Sequence, residues 1–465
     1  MATRIEKDSM GQKDVPAEAY YGLQSVRAME NFPISGLGMH PRMEEAIVMV
    51  KKAAALVNGE LGFLTPDVSK AIAAAADELI AGKLRDHFVV DVYQMGAGTS
   101  FNMNANEVLA NRAVELLGKK KGEYAHVHPN DHVNMAQSTN DVIPTAMRIA
   151  ARLLLQELLP VLNDLEAAFS AKAKEFDGIL KSARTHLQDA VPIRLGQEFG
   201  AYAESIRKCR DRIAASARSL EELGIGGSAA GTGLNTHPEY RVKVIEHLRA
   251  WTGIRWRNAP DMREAMQSNL PVAEASSALR LLALELTRIC NDLRLLASGP
   301  TTGFAEIVLP AVQPGSSIMP GKINPTMAEM LNMVCFQVIG NDLTVSMAVQ
   351  AGQLELNVMM PVMAYNVHQS IEILKNALRV FIDRCVVGIT ADADRCRRYA
   401  ESSMALATAL NIYVGYARAA EVVKRALREQ KTIIEVVRDE KLLSEEQIGQ
   451  ILDPLKLTEP GLPGR

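Results

Sequence analysis

The segment PGSSIMPGKINP, residues 314–325, sets two adjacent serines, a lysine and an asparagine among three prolines and two glycines, between stretches that read as helices. An unassisted serine hydroxyl is far too weak an acid to become a base. A serine whose alkoxide is stabilised by donors and a nearby ammonium can take a proton from carbon. Ser316 or Ser317 fits that description, with Lys322 as the cation. Three further segments carry neutral donors beside expected helix starts: GAGTSFNMN (96–104), AQSTND (136–141) and ARTHLQD (183–189). Singly, such residues cap helices, paired loop serines form turns, and a loop lysine is a solvated charge. Jointly they suit an anion, because free first-turn amides and the helix dipole favour negative charge. Proton removal from carbon next to a carboxylate creates an enediolate with a second negative charge, which preorganised Ser, Thr and Asn donors can hold. The joint reading is a site for a small dicarboxylate.

Other clusters carry weaker signals. His186 sits within the ARTHLQD donors, where a ligand-contacting role competes with a structural one, and Glu329 on the following helix could orient it or be a plain exposed glutamate. HVHPNDH (126–132) brings His126, His128, Asp131 and His132 close together, but without a second ligand cluster it reads as a polar turn and no metal is expected. GIGGSAAGTG (224–233) contains neither GxGxxG after a strand nor GxxxxGK[ST], so no nucleotide cofactor is expected.

These loops need a scaffold, and periodicity supplies it. Apolar residues at Val272, Ala275, Leu279, Leu282, Leu286, Ile289, Leu293 and Leu296 alternate spacings of three and four, which predicts a long helix with a bundle-type seam. The same alternation runs through Leu195–Ile213 and Ala151–Ala168, the latter with a kink expected at Pro160. Leu281, Leu284 and Leu295 widen the first seam beyond what one partner helix covers, so the fold class is mainly α, a multi-helix core completed by other subunits. From about Asp392 the chain reads as a small helical appendage with a loose tail.

Composition sets the class. The chain has 465 residues, 48% hydrophobic and 23% charged, with a net charge of −3, so it has material for a large core and no basic field for nucleic acid or anionic lipid. Its five cysteines are scattered and never form CxxC, which suits a reducing cytoplasm. No apolar leader opens the chain and no window approaches eighteen uncharged apolar residues, so neither export nor membrane spanning is expected.

GSSIMPGKINP resembles the GSSxxMPxKxNP signature of the aspartase/fumarase superfamily, and the resemblance extends over essentially the whole chain. It covers RIEKDSMGQKDVPAEAYYGLQSVRAMENF, GAGTSFNMNANEVLANRA, HPNDHVNMAQSTND, RTHLQDAVPIRLGQEF and GTGLNTHPEY. Ser138-Thr139-Asn140-Asp141 is similar to the aspartase branch, where class II fumarases usually show SSND. The resemblance implies a three-domain long-helix bundle, divided at 1–138, 139–392 and 393–465 with a catalytic loop at 312–326, assembled as a homotetramer with sites shared between subunits. It implies deamination of L-aspartate to fumarate and ammonia without a cofactor. Thr185, Lys322 and Asn324 would meet the α-carboxylate, and Thr99, Ser138, Thr139 and Ser317 the β-carboxylate. Asn140 and His186 would lie near the amino group, Ser316 would be the base, and the loop would close over substrate. Met95, Thr301-Thr302 and Met360 depart from the usual aspartase pattern, and Met360 with HPND and NPT is fumarase-like. A fumarase acting on L-malate is therefore the alternative, followed by an inactive scaffold.

Overall fold

A computed structural model describes residues 2–464. The chain opens with an antiparallel hairpin, β1 (Thr3–Asp8) and β2 (Gly11–Pro16), followed by α1 (Leu23–Asn31), α2 (Pro41–Glu60), α3 (Pro66–Ile80) and α4 (Thr99–Leu116). Next come α5 (Thr139–Glu175), a second hairpin of β3 (Leu180–Thr185) and β4 (Gln188–Arg194), and α6 (Leu195–Ser219). The remainder is helical: α7 (Tyr240–Thr252), α8 (Met262–Gln267), α9 (Leu270–Leu296), α10 (Thr326–Gln350), α11 (Met360–Arg384) and shorter C-terminal helices from Ala393. Every sheet among the described residues has two strands, so helix packing makes the core.

Local chemistry starts the helices where the sequence stops them from extending backwards. Pro41 and Pro66 take the first-turn positions of α2 and α3, where no amide is needed. The His40 ring accepts from Arg42 N at 3.1 Å, and the Thr65 hydroxyl accepts from Val68 N. On α9 all eight seam residues from Val272 to Leu296 are buried, as the periodicity requires. Helix α5 continues through Pro160, whose missing amide costs one intrahelical bond without ending the helix.

The chain divides into two compact units. One comprises the residues up to Leu159 with Asp211–Ala283 and Phe336–Lys375; its core includes Ile47, Val50, Ala54, Ile72, Ala75, Leu109 and Ala110 of α2, α3 and α4. The other comprises Pro160–Arg210, Leu284–Cys335 and the chain from Asn376. In it Phe169, Phe176, Phe199 and Tyr202 interlock with ring centroids 5.2–6.2 Å apart, mostly edge to face.

The C-terminal segment closes around Leu406, Leu410, Val422, Ile433, Val436, Ile448 and Leu452. Its tail is not loose, contrary to expectation. Arg194 donates to Thr458 Oγ1 at 2.7 Å, Gln197 Nε2 to Thr458 O at 3.0 Å, and Tyr413 Oη to Pro463 O. Polar grips from β4 and α6 hold a segment whose own composition predicts none.

Candidate active site

The candidate residues lie in two groups, Thr99, Ser138, Thr139 and Asn140 in the first unit and Thr185, His186, Ser316, Ser317, Lys322 and Asn324 in the second. In the 312–326 loop the two ends are stapled together. Gly315 N donates to Lys322 O at 2.8 Å and Asn324 Nδ2 donates back to Gly315 O at 2.6 Å. One amide hydrogen of Asn324 is thus committed to the loop itself. A Cβ on residue 315 would lie 2.6 Å from Lys322 O and 2.9 Å from Asn324 N, which explains the glycine. At the tip Pro320-Gly321, with φ +80° at Gly321, turns the chain so that Lys322 N meets Met319 O at 3.4 Å.

Inside this ring Ser316 Oγ accepts from Ile318 N at 3.2 Å and Met319 N at 2.9 Å. The geometry is that of a serine turn, but it also aims two backbone dipoles at one hydroxyl oxygen, the arrangement that stabilises an alkoxide. Ser317 and Lys322 are exposed, and Lys322 forms no ion pair among the described residues. Its charge is available to a ligand.

The second hairpin ends in a two-residue turn, because Thr185 pairs with Gln188. His186 and Leu187 both lie in the left-handed region, φ +57° and +59°, with neither a Gly nor an Asn to relieve the strain. A charge cluster, largely buried, anchors β3 below the turn. Lys181 Nζ lies 2.6 Å from Glu198 Oε2 and 3.2 Å from Glu306 Oε2, and Arg184 Nη1 3.0 Å from Glu306 Oε1, with Arg184 also stacked on Phe304. A strained, exposed tip on a rigid base presents Thr185 and His186 to solvent.

In the other unit, α4 and α5 begin side by side. Gly98, at φ +84°, has Ile143 of α5 3.0 Å from where its Cβ would stand, and no side chain caps α4. Thr99, its first residue, lines a cavity of about 470 Å3 shared with Met10, Asn31, Met95 and the Arg27–Asp8 ion pair. On α5, Ser138 caps the helix by accepting from Asn140 N at 3.2 Å while Asp141 reaches back to Ser138 N at 2.9 Å. Capping and ligand binding are therefore compatible here: the amide occupies the acceptor side of the hydroxyl and leaves its proton to be donated. Asn140 Nδ2 donates to Ala229 O at 2.8 Å, which leaves Oδ1 as an acceptor.

Sequence reasoning missed the layer beneath. Asp141 is fully buried and binds Gly226 N and Ser228 N at 3.0 and 2.9 Å, fastening the 224–233 loop to the start of α5. Burial pushes its carboxyl up and pulls the ammonium of fully buried Lys51 down, each opposed by the charge of the other. Lys51 had one legible signal, since it occupies a core position in the Ile47, Val50, Ala54, Val57 stripe of α2. The HVHPNDH segment forms the expected polar turn, with His128 Nδ1 accepting from Asn130 N and Asp131 N at 3.2 Å.

Comparison with known proteins identifies the family. The profile described as Lyase matches residues 11–340, and that of the Fumarase C C-terminus matches 406–459. This chain belongs to the aspartase/fumarase family of lyases. It is 50% identical to an aspartate ammonia-lyase of Bacillus sp, over 99% of both chains. It is 51% identical to a class II fumarate hydratase of Halobacterium salinarum, over 99% of this chain and 98% of the other. Among solved structures, the fumarate lyase:delta crystallin of Brucella melitensis superimposes with a TM-score of 0.95 at 48% identity, covering 99% of this chain and 100% of that one. The family's mainly helical fold is the fold seen here.

Proposed function

We propose that this lyase is an aspartate ammonia-lyase, converting L-aspartate to fumarate and ammonia by proton abstraction from Cβ. The observation that carries the reading is the pair of amides on Ser316 Oγ, which would hold the alkoxide that takes the proton. The electron pair of the broken C–H bond moves onto the β-carboxylate, giving an enediolate held by Thr99, Ser138, Thr139 and Ser317. Collapse of the enediolate forms the double bond and expels the amine with the C–N electron pair. Lys322, Thr185 and Asn324 would fix the α-carboxylate as charge and hydrogen-bond partners.

Asn140 is compatible with an amine as the leaving group, and since the SSND of class II fumarases carries the same Asn it does not discriminate between the two readings. Its amide is turned so that Oδ1 is free, and an ammonium, having only donors, needs an acceptor there. The fumarase-type relative keeps a hydratase as the second reading. Incubating the purified protein with L-aspartate should release ammonia and raise the ultraviolet absorbance of fumarate. Turnover of L-malate without turnover of aspartate would transfer the assignment to the hydratase.

Assembly follows from faces the single chain leaves bare. On α10, Met333, Phe336, Leu343 and Met347 are 57–65% exposed and share, with Gly340, a three-four spacing opposite the buried seam. Leu281, Leu284 and Leu295 form a similar exposed row on α9. These faces support a homotetramer; sites shared between subunits, a cytoplasmic location and the division at 138/139 and 392/393 rest on the family resemblance and the sequence alone. Among the described residues no helix is long and apolar enough to cross a membrane.

A further inference from the structure

Thr139 is useful to a carboxylate only if its proton points at it, since a hydroxyl both donates and accepts while a carboxylate only accepts. Its direction is set from below. Lys51 Nζ, fully buried, contacts Asn134 Oδ1 at 2.8 Å. Asn134 Nδ2 donates to Gln137 O at 3.2 Å, a carbonyl that can only accept, so the atom of Asn134 facing Lys51 is the oxygen. That oxygen also receives Asn102 Nδ2 at 3.2 Å and Asn106 Nδ2 at 3.1 Å. Asn102 cannot flip without setting oxygen against oxygen. Its Nδ2 therefore faces Thr139 Oγ1, also at 3.2 Å, and fills the acceptor side of that hydroxyl. A flipped Asn102 would take the Thr139 proton for itself.

We propose that Asn102, oriented by Asn134 and the buried Lys51, is a positioning residue that directs the Thr139 hydroxyl proton at the substrate carboxylate. This rests on the reading of Thr139 as a carboxylate ligand. The effect belongs mainly to kcat, because the hydroxyl matters most when the carboxylate gains charge as the enediolate. Asn102→Ala, Asn102→Asp, Thr139→Val and the double variant Asn102→Ala/Thr139→Val form the test, each checked for unchanged assembly and melting. Thr139→Val and Asn102→Ala are each expected to lower kcat for aspartate about 10- to 100-fold with a smaller change in KM. Asn102→Asp, which keeps the shape but offers oxygen to Thr139, should be no better than alanine. In the Thr139→Val background, Asn102→Ala should cost less than about threefold more, because its target is gone. If the two losses multiply, or Asn102→Asp works normally, the inference is overturned while Thr139 stays in the site. A normal Thr139→Val enzyme removes Thr139 from the site, and the inference with it.

Discussion

Replacing Gly315 by alanine tests whether the stapled ring, and not merely its residues, makes the base. The added methyl would stand 2.6 Å from Lys322 O and 2.9 Å from Asn324 N, both backbone atoms that cannot rotate away. Relief requires the neck of the loop to open, which gives up the 2.8 Å Gly315–Lys322 bond and the 2.6 Å Asn324–Gly315 bond. At about 1 kcal/mol each, two such bonds amount to roughly 2 kcal/mol, or about a 30-fold loss of the ordered loop. Little else should change, because Ile318, Met319 and Ile323 are 84, 48 and 49% exposed and add nothing to the core. The expected result is kcat/KM for aspartate reduced about 10- to 100-fold with an unaltered Tm. Gly321→Ala is the control: nothing lies within 4 Å of its Cβ, so only the strain of φ +80° remains, about 1 kcal/mol or fivefold. Equal effects at the two glycines, or a Gly315→Ala enzyme within threefold of the parent, would refute the reasoning.

Other expectations test separate parts of the site and assembly. Ser316→Ala should cost about 10²–10⁴ in kcat, the usual yield of a general base, with the melting curve unchanged; normal turnover would point to another base. Lys322→Ala should raise KM and lower kcat together, about 10- to 100-fold in kcat/KM, because its charge acts on bound substrate and transition state alike. Phe336→Asp with Leu343→Asp, on the exposed row of α10, should shift the particle mass in solution toward smaller species. Glu44 supplies a pH test, since burial pushes its carboxyl up to about 7 while the unfolded group titrates near 4.5. The folded state holds the extra proton between those values, so stability falls as pH rises through that window. Glu44→Gln should gain about 1–2 kcal/mol by denaturant titration above pH ~7.5 and nothing near pH ~4, the full shift being discounted for partial exposure.

Much of the fold was legible because burial in a helix is periodic. The Val272–Leu296 seam emerged as α9 with each member buried, and Leu281, Leu284 and Leu295 emerged exposed, as a helix with too wide an apolar face should. The hairpin tip was not legible. A two-residue turn normally announces itself with Asn-Gly, whereas His186-Leu187 takes left-handed geometry because the strands pair up to Thr185–Gln188, in a hairpin anchored by the Lys181–Glu198–Glu306–Arg184 cluster, whose members are up to about 125 residues apart in the chain. The anchored tail was missed for the same reason, its partners being Arg194 and Gln197 of a distant segment.

By itself the amino-acid sequence determined the inventory: a serine-lysine loop, donor-rich helix starts, and helices with enough apolar surface to position them. Those properties are local, carried by residue type and by spacings of three and four. Only the tertiary structure decided direction. Two amides converge on Ser316, the free oxygen of Asn140 turns from Ala229, and a chain from Lys51 through Asn134 and Asn102 reaches Thr139. Hydroxyls and amides offer both donor and acceptor faces, so their chemistry remains undetermined until packed neighbours, remote in sequence, occupy one face and leave the other for the substrate.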